Sequence, residues 1–352
     1  MNSKSSKRVS GFKLVSVAAM FCLASAAHAL PVLDFGPASQ YSGFFFSNVN
    51  AAADVEGRLA VGGNLTSGFD VGYRNPYGST APSLVVAGNV SMTSQWGKAG
   101  SIYNGPTYNT DTNKSIGPST ASWIGENKLA AGNLVYGGSL TAADWQYAKA
   151  TKNANFIDFA AAKTQLSGLS TQLASAKQVG SWITGNSGVQ LTGDGTSDIQ
   201  IFNLGNTELK NISLSNIKAG AHIVINSTLS NVVFSGDLGG NLGNSTNGLA
   251  SFRDRVVFNL SNASSVNVGT FLNGSVLAVN ADVVGSGHLE GTLIANSLSK
   301  GENGKLELGY ETFKPFVPPP ITTSPVPEPE TYALMLAGLA AVSFIARRRK
   351  LG

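Results

Sequence analysis

Leu59-Ala60-Val61-Gly62-Gly63-Asn64-Leu65 is the stretch on which the fold turns. Its pattern is three apolar residues, a small residue, glycine, a polar residue, then Leu or Val. It returns in Leu84-Val85-Val86-Ala87-Gly88-Asn89-Val90, in Leu134-Val135-Tyr136-Gly137-Gly138-Ser139-Leu140 and in Val232-Val233-Phe234-Ser235-Gly236-Asp237-Leu238. Further apolar runs open near Val256, Val276 and Leu293. Strands of three or four residues are too short to form an independent sheet. Repeats of roughly 20 to 25 residues with one short strand each point instead to stacked rungs. The expected fold is mostly β, a β-solenoid in which Gly-Asn or Gly-Ser pairs turn the corners through positive φ. Asn at repeated corners is expected to form a ladder from rung to rung. Because the steps are unequal, an antiparallel β-sandwich with Gly-rich hairpins stays open as the alternative.

One segment departs from the strand pattern. From Ile157 to Lys177, Phe159, Ala162, Leu166, Leu169, Leu173 and Ala176 recur at steps of three and four, which predicts an amphipathic helix over 157–177. Asp158 suits its start and Lys177 its end, and Gly180 is expected to stop it. Its apolar stripe needs a wall, and the side or end of the strand stack supplies one.

The ends of the chain read differently from the body. Residues 1–29 have a basic start (Lys4, Lys7, Arg8, Lys13), an apolar run from Leu14 to Ala24, and Ala27-His28-Ala29 before Leu30. That is the order of a secretory signal, with cleavage by signal peptidase between Ala29 and Leu30. Cys22 lies inside it and is the single cysteine, so the body holds no disulfide and no thiolate metal site. A Pro-rich linker follows at 316–326. Next come Pro327-Glu328-Pro329, an apolar segment at 332–346 expected to enter the membrane, and Arg347-Arg348-Arg349-Lys350. Fifteen apolar residues reach only about 22 Å as a helix, against a hydrocarbon core of about 30 Å.

Those C-terminal residues, with Gly338 inside the apolar run, resemble the PEP-CTERM sorting signal. The resemblance implies export by a Gram-negative bacterium, transient inner-membrane anchoring and processing by an exosortase, commonly beside exopolysaccharide. The body, residues 30–315, resembles the choice-of-anchor A family through Asp54-Val55-Glu56-Gly57-Arg58 leading into Leu59, through Ile157-Asp158-Phe159, and through His288-Leu289-Glu290-Gly291-Thr292-Leu293-Ile294-Ala295. That resemblance implies an adhesin-like body at the cell surface or in the extracellular matrix, and it supplies no catalytic residues.

Charge and chemistry narrow the function. Only 12% of residues are charged, about half the usual share, and Asn, Ser, Thr and Gly take their place. The formal charge of +4 comes from the two ends, so the body has no basic stripe for nucleic acid. His222 and His288 lack zinc spacing, and no catalytic residue, cofactor or metal is expected. Asp194 and Asp198 read as a polar turn, and Arg253-Asp254-Arg255 as an ion cluster in a loop. Tyr73, Tyr77, Trp96, Tyr103 and Tyr108 are the candidate contacts for sugar rings, and extracellular polysaccharide is the candidate partner. A biofilm adhesin or structural matrix component is the expected role. The alternatives are an ice-binding-like solenoid and a glycan-acting β-helix enzyme. The enzyme would need acids from neighbouring turns within about 10 Å of each other.

Overall fold

A computed structural model describes residues 32–349 except 67, 77–78, 93–99, 105–107, 110–113, 116–130, 241–247 and 319–328. The chain divides into two compact units, Met1–Leu30 and Pro31–Gly352, and the described elements all belong to the second.

The apolar triplets form short parallel strands stacked into one β-solenoid. Gly43–Phe45, Leu59–Val61, Leu84–Val86, Asn133–Tyr136 and Lys149–Lys152 pair in that order, each with the next. On the other side of Gly43–Phe45 lie Leu293–Leu298, Ser275–Gly285, Val256–Asn259, His222–Asn226 and Ile199–Asn203, also parallel. The chain therefore starts in the middle of the stack and climbs to Lys149–Lys152. It then crosses to the far end and winds back until Leu293-Ile294-Ala295 meets Gly43-Phe44-Phe45 in register. This parallel pairing excludes the sandwich. Leu84–Val86 pairs directly with Asn133–Tyr136, so the 50-residue step is still one rung.

Each coil has three faces. On the first, alternate side chains of the strands from Ile199–Asn203 to Asn133–Tyr136 are buried in opposite directions, while the end strand Lys149–Lys152 is mostly exposed. Leu59 and Val61, Leu84 and Val86, Val256 and Phe258 point into the coil. Val224, Val257, Leu277, Ile294 and Phe44 point outward beneath a helix, and Ala60 and Val85 continue the same buried outward row. Burial on both sides explains why these strands read as unbroken apolar triplets.

The helix, α1, runs Phe159–Ala174, inside the predicted span. Asp158 is its N-cap and accepts from the Ala161 N–H at 2.9 Å. Ala162, Leu166, Leu169 and Leu173 are its buried stripe. The helix ends at Ser175, ahead of Gly180, whose φ of +87° belongs to the turn into the next strand. Sixteen residues reach about 24 Å, enough to pass about five rungs spaced ~4.8 Å apart.

A buried asparagine ladder fastens the C-terminal half of α1. Asn203, Asn226 and Asn259 end three successive strands. Asn226 Nδ2 donates to Asn203 Oδ1 (2.7 Å) and to the Leu173 carbonyl (2.8 Å). Asn259 Nδ2 donates to Asn226 Oδ1 (2.8 Å) and the Ser170 carbonyl (2.9 Å), and Asn259 Oδ1 accepts from Ser170 Oγ (2.6 Å).

A second ladder runs along the corner after the covered face. Asn48 Oδ1 accepts the Asn64 N–H, Asn64 Oδ1 the Asn89 N–H, and Asn89 Oδ1 the Ser139 N–H, each at 2.8 Å. The glycine of the motif has a different purpose from the one expected. Gly63, Gly88 and Gly138 do not adopt positive φ. A Cβ on any of them would collide with the Asn side chain of the preceding rung, so glycine is needed for space. At the fourth copy Gly236 is at φ +72°, and there too the Asn211 side chain occupies the Cβ position and accepts the Asp237 N–H.

The helix Pro329–Arg349 corrects the expected membrane segment at 332–346. Among the described residues no helix is long and apolar enough to cross a membrane. The apolar run is short, and Glu330 and Arg347-Arg348-Arg349 fall within the same helix.

Asn259→Ala should lower stability by about 2–4 kcal/mol, because it leaves buried Ser170 and Asn226 groups unpaired. Asn64→Ala, where water can replace the side chain, should cost under about 1 kcal/mol. Urea unfolding with unchanged m-values measures both, and equal costs would contradict the distinction.

Candidate functional site

Two solvent-facing surfaces remain beside the covered face. The first follows the Asn corner. Val49, Leu65, Val90, Val232, Val266, Val283 and Leu298 point inward and are buried. Register places their flanking residues in two outward columns. One column holds Asn231, Ser265, Asp282, Ser297, Asn48, Asn64, Asn89 and Ser139. The other holds Val233, Asn267, Val284, Ser299, Asn50, Thr66, Ser91 and Thr141. Asp282 is the one charged residue in these columns.

Side-chain bonds fix this amide face in place. Thr66 Oγ1 donates to Asn50 Oδ1 at 2.8 Å, Ser265 Oγ to Asn231 Oδ1 at 2.8 Å, and Ser139 Oγ to Asn89 Oδ1 at 3.0 Å. Ser297 Oγ and Asn296 Nδ2 both donate to Asp282, which holds its carboxyl below the usual range. The ladder uses the Asn carbonyl oxygens. It leaves the NH2 groups of Asn48, Asn64 and Asn89 without a partner among the described residues, one per rung at about 4.8 Å.

The second surface is acidic. His288, Glu307, Asp54 and Asp70 are successive members of one column, and Glu290 and Glu56 belong to the column beside it. Arg74 Nη1 lies 2.6 Å from Glu56 and 3.9 Å from Glu290. His288 stands 3.2 Å from both Glu290 and Glu307. Burial disfavours the His288 cation, but the hydrogen bond and charge of Glu290, with Glu307, outweigh it and raise the pKa. Asp54 is pushed up to about 7 by burial, then by Glu307, Glu56 and Asp70. Its Oδ1 is buried with no partner among the described residues.

Acids from neighbouring turns are thus closer together than the thinly spread sequence suggested, and within the separation a glycan-cleaving site would need. Glu56 and Glu290 are 8% and 5% exposed and share one guanidinium. Among the described residues no group of His, Cys, Asp or Glu is arranged to hold a metal.

The sequence-derived candidates fall in several places. Tyr73 and Tyr103 meet edge to face at 6.4 Å on the acidic surface, both half-buried. Tyr73 donates to Glu56 Oε1 at 2.9 Å, and burial raises the pKa of both phenols. Tyr77 and Trp96 lie outside the described residues, as does the side chain of Tyr108. So do Ala27, Ala29, Leu30, Pro327 and Glu328. Pro329 opens the last helix, and Gly338, Arg347, Arg348 and Arg349 are exposed along it. Asp194 closes a polar turn, accepting from the Thr196 and Ser197 N–H groups and from Gln200 Nε2.

The Arg253-Asp254-Arg255 cluster clamps the segment 309–317. Arg253 pairs with Glu311 at 2.7 Å and Lys314 with Asp254 at 2.5 Å. Phe313 stacks on Phe35 at 4.4 Å, and Phe316 pairs through its backbone with Leu33. This strap follows the corner between the acidic and covered faces. His222 Nε2 donates there to the Lys314 carbonyl at 2.8 Å.

An extended β-solenoid with a side helix, a neutral polar face and a sorting tail defines an adhesin-like class of exported surface protein. Residues 34–308 match the Ice-binding-like adhesive domain, and the chain belongs to that family. Residues 325–350 match the PEP-CTERM protein-sorting motif. No curated protein matches the chain. Three solved structures are similar to it. They are an ice-binding protein from the Antarctic ascomycete Antarctomyces psychrotrophicus (14% identity, 81% of this chain, 99% of that one, TM-score 0.31), an ice binding protein from an Antarctic biological consortium (11%, 86%, 97%, 0.29) and a glycosylated ice-binding protein from an Arctic yeast (15%, 82%, 96%, 0.29).

Asp54 sets a pH dependence. Its folded pKa lies above the ordinary 3.8, so its contribution is complete below that value and gone above about 7. Asp54→Asn should therefore match the parent below pH 3.8 and be more stable at neutral pH. Urea midpoints at the two pH values measure this, and an Asn variant that is less stable at neutral pH would contradict it.

Proposed function

We propose that this protein is a non-enzymatic surface adhesin of the exopolysaccharide matrix that makes contact through its amide face. The supporting observation is the pair of columns, mostly Asn, Ser and Thr with Val233, Val284 and Asp282 among them, held in register with one NH2 donor per rung from Asn48 to Asn89. Each hydrogen bond to a hydroxylated polymer is worth little in water. Many equally spaced ones act together, because their geometry is paid for by the fold and binding adds avidity without a deep pocket. The strap leaves the body at the corner opposite this face, so a tether there leaves the amide face clear. Tyr77, Trp96 and Tyr108 are proposed to add stacking on sugar rings. The sorting motif supports exosortase processing within 327–352.

Membership of the Ice-binding-like adhesive domain family favours ice as a second ligand for the same face. The composition argues for a hydroxylated polymer, since Thr66 and Thr141 are the only threonines in the two columns.

The variant Asn64→Arg with Asn89→Arg places two bulky cations on the amide face. Retention on immobilised exopolysaccharide should fall at least about fivefold, while the loss of two ladder bonds lowers the thermal midpoint by only a few degrees. Unchanged retention would remove this face from the contact. If the parent instead halts ice recrystallisation and the variant does not, ice is the ligand. For the tail, mass spectrometry should find the peptide ending near Arg349 only in exosortase-deficient cells, and finding it in both strains would remove the processing step.

A further inference from the structure

A cavity of about 330 Å³ lies at the corner between the acidic and covered faces, beneath the strap. That is near the lower bound of small-ligand pockets and suits one or two sugar rings. Its walls include Gln40, Gly57, Arg58, Asn75, Tyr310 and Thr312. Two charged pairs at its edge are already matched internally, Lys314 with Asp254 and Glu311 with Arg253. Arg58 is not. Its guanidinium donates only to neutral groups, Gln40 Oε1 at 3.3 Å and Ser79 Oγ at 3.2 Å, and it has no acidic partner among the described residues.

A second observation comes from behind the wall. Ser42 is fully buried, and its hydroxyl has no partner among the described residues. It stands at Gly57, where a Cβ would collide with it, so the wall is one glycine thick there. The cavity thus combines one uncompensated cation, an unpaired hydroxyl behind it, the amides and hydroxyls of Gln40, Asn75 and Thr312, and the Tyr310 ring.

We infer that this cavity binds a uronic-acid residue of an acidic polysaccharide, with the Arg58 guanidinium on the carboxylate and Tyr310 beside the sugar ring. A single unmatched positive charge balances a monoanionic carboxylate and leaves a phosphate dianion half neutralised. Guanidinium and carboxylate also share a planar geometry that admits two parallel hydrogen bonds. The polar amides and hydroxyls suit ring hydroxyls, and Pro76 with the Tyr310 ring supplies the apolar part of the wall on which a sugar face can rest. The site deepens the adhesive reading by naming an acidic matrix sugar, yet it lies away from the amide face.

Calorimetric titration of the full chain with trigalacturonate and with neutral galactotriose tests it. Trigalacturonate should bind at least about tenfold more tightly than the neutral sugar, and its affinity should fall as salt rises. Arg58→Gln should weaken trigalacturonate binding at least about tenfold, and Arg58→Lys should retain part of it. Thermal melts of both variants control for folding. Equal affinity for the two sugars, full affinity in Arg58→Gln, or no heat from trigalacturonate with the parent would overturn the site. The Asn64→Arg, Asn89→Arg variant should still bind trigalacturonate, so failure at the cavity and failure at the amide face give different patterns.

Discussion

The structure depends on the seam where Leu293-Ile294-Ala295 pairs with Gly43-Phe44-Phe45. The chain does not wind continuously from one end to the other, so this parallel pairing, with the bridges Val49–Leu298 and Val55–Leu308 on the other two faces, joins two half-stacks into one. Phe45 and Ala295 meet inside the coil, and Phe44 and Ile294 meet beneath α1. A slip of one residue would send every one of these side chains to the wrong side, which makes the register steep in energy. The outward columns inherit their alignment from it. Asn48 follows the seam strand directly, and Asp54 meets Glu307 only because Val55 pairs with Leu308.

Much of this was legible in the sequence. The apolar triplets gave the strands, the three-four spacing gave α1, and Asp158 proved to be its cap. The Gly-Asn corners foretold a ladder, although glycine serves there to admit the preceding Asn rather than to supply positive φ. The seam was not legible, because residues 43 and 293 carry no mark of each other. The acidic surface was hidden for the same reason: Asp54, Asp70, His288 and Glu307 converge only through that closure. A signal did exist in Asp54-Val55-Glu56 and His288-Leu289-Glu290, where acids or histidine flank one inward apolar residue. Asn203, Asn226 and Asn259 carry no mark in the sequence, and only the helix laid over them makes them a buried ladder.

One backbone plan therefore carries three chemically distinct surfaces. Alternation inside each strand decides the inward residue, and the outward residue is free to vary by face. Apolar residues recruit α1, neutral amides and hydroxyls build the amide face, and carboxylates with Arg74 and His288 build the third. The low charge of the body follows from this division. Ionic groups are concentrated on one surface and along the strap, where most are paired, and the amide face is left as a neutral hydrogen-bonding wall. Such a wall can act on a polymer by repetition without any catalytic group.

Native-state hydrogen exchange at the seam tests this account most directly. The amides of Gly43–Phe45 and of Leu293–Leu298 should exchange only through global opening, with the free energy measured for unfolding the whole body. Faster exchange at these amides than in Leu84–Val86 and Val256–Asn259, or two separate unfolding steps for the two half-stacks, would show that the seam does not hold the solenoid together.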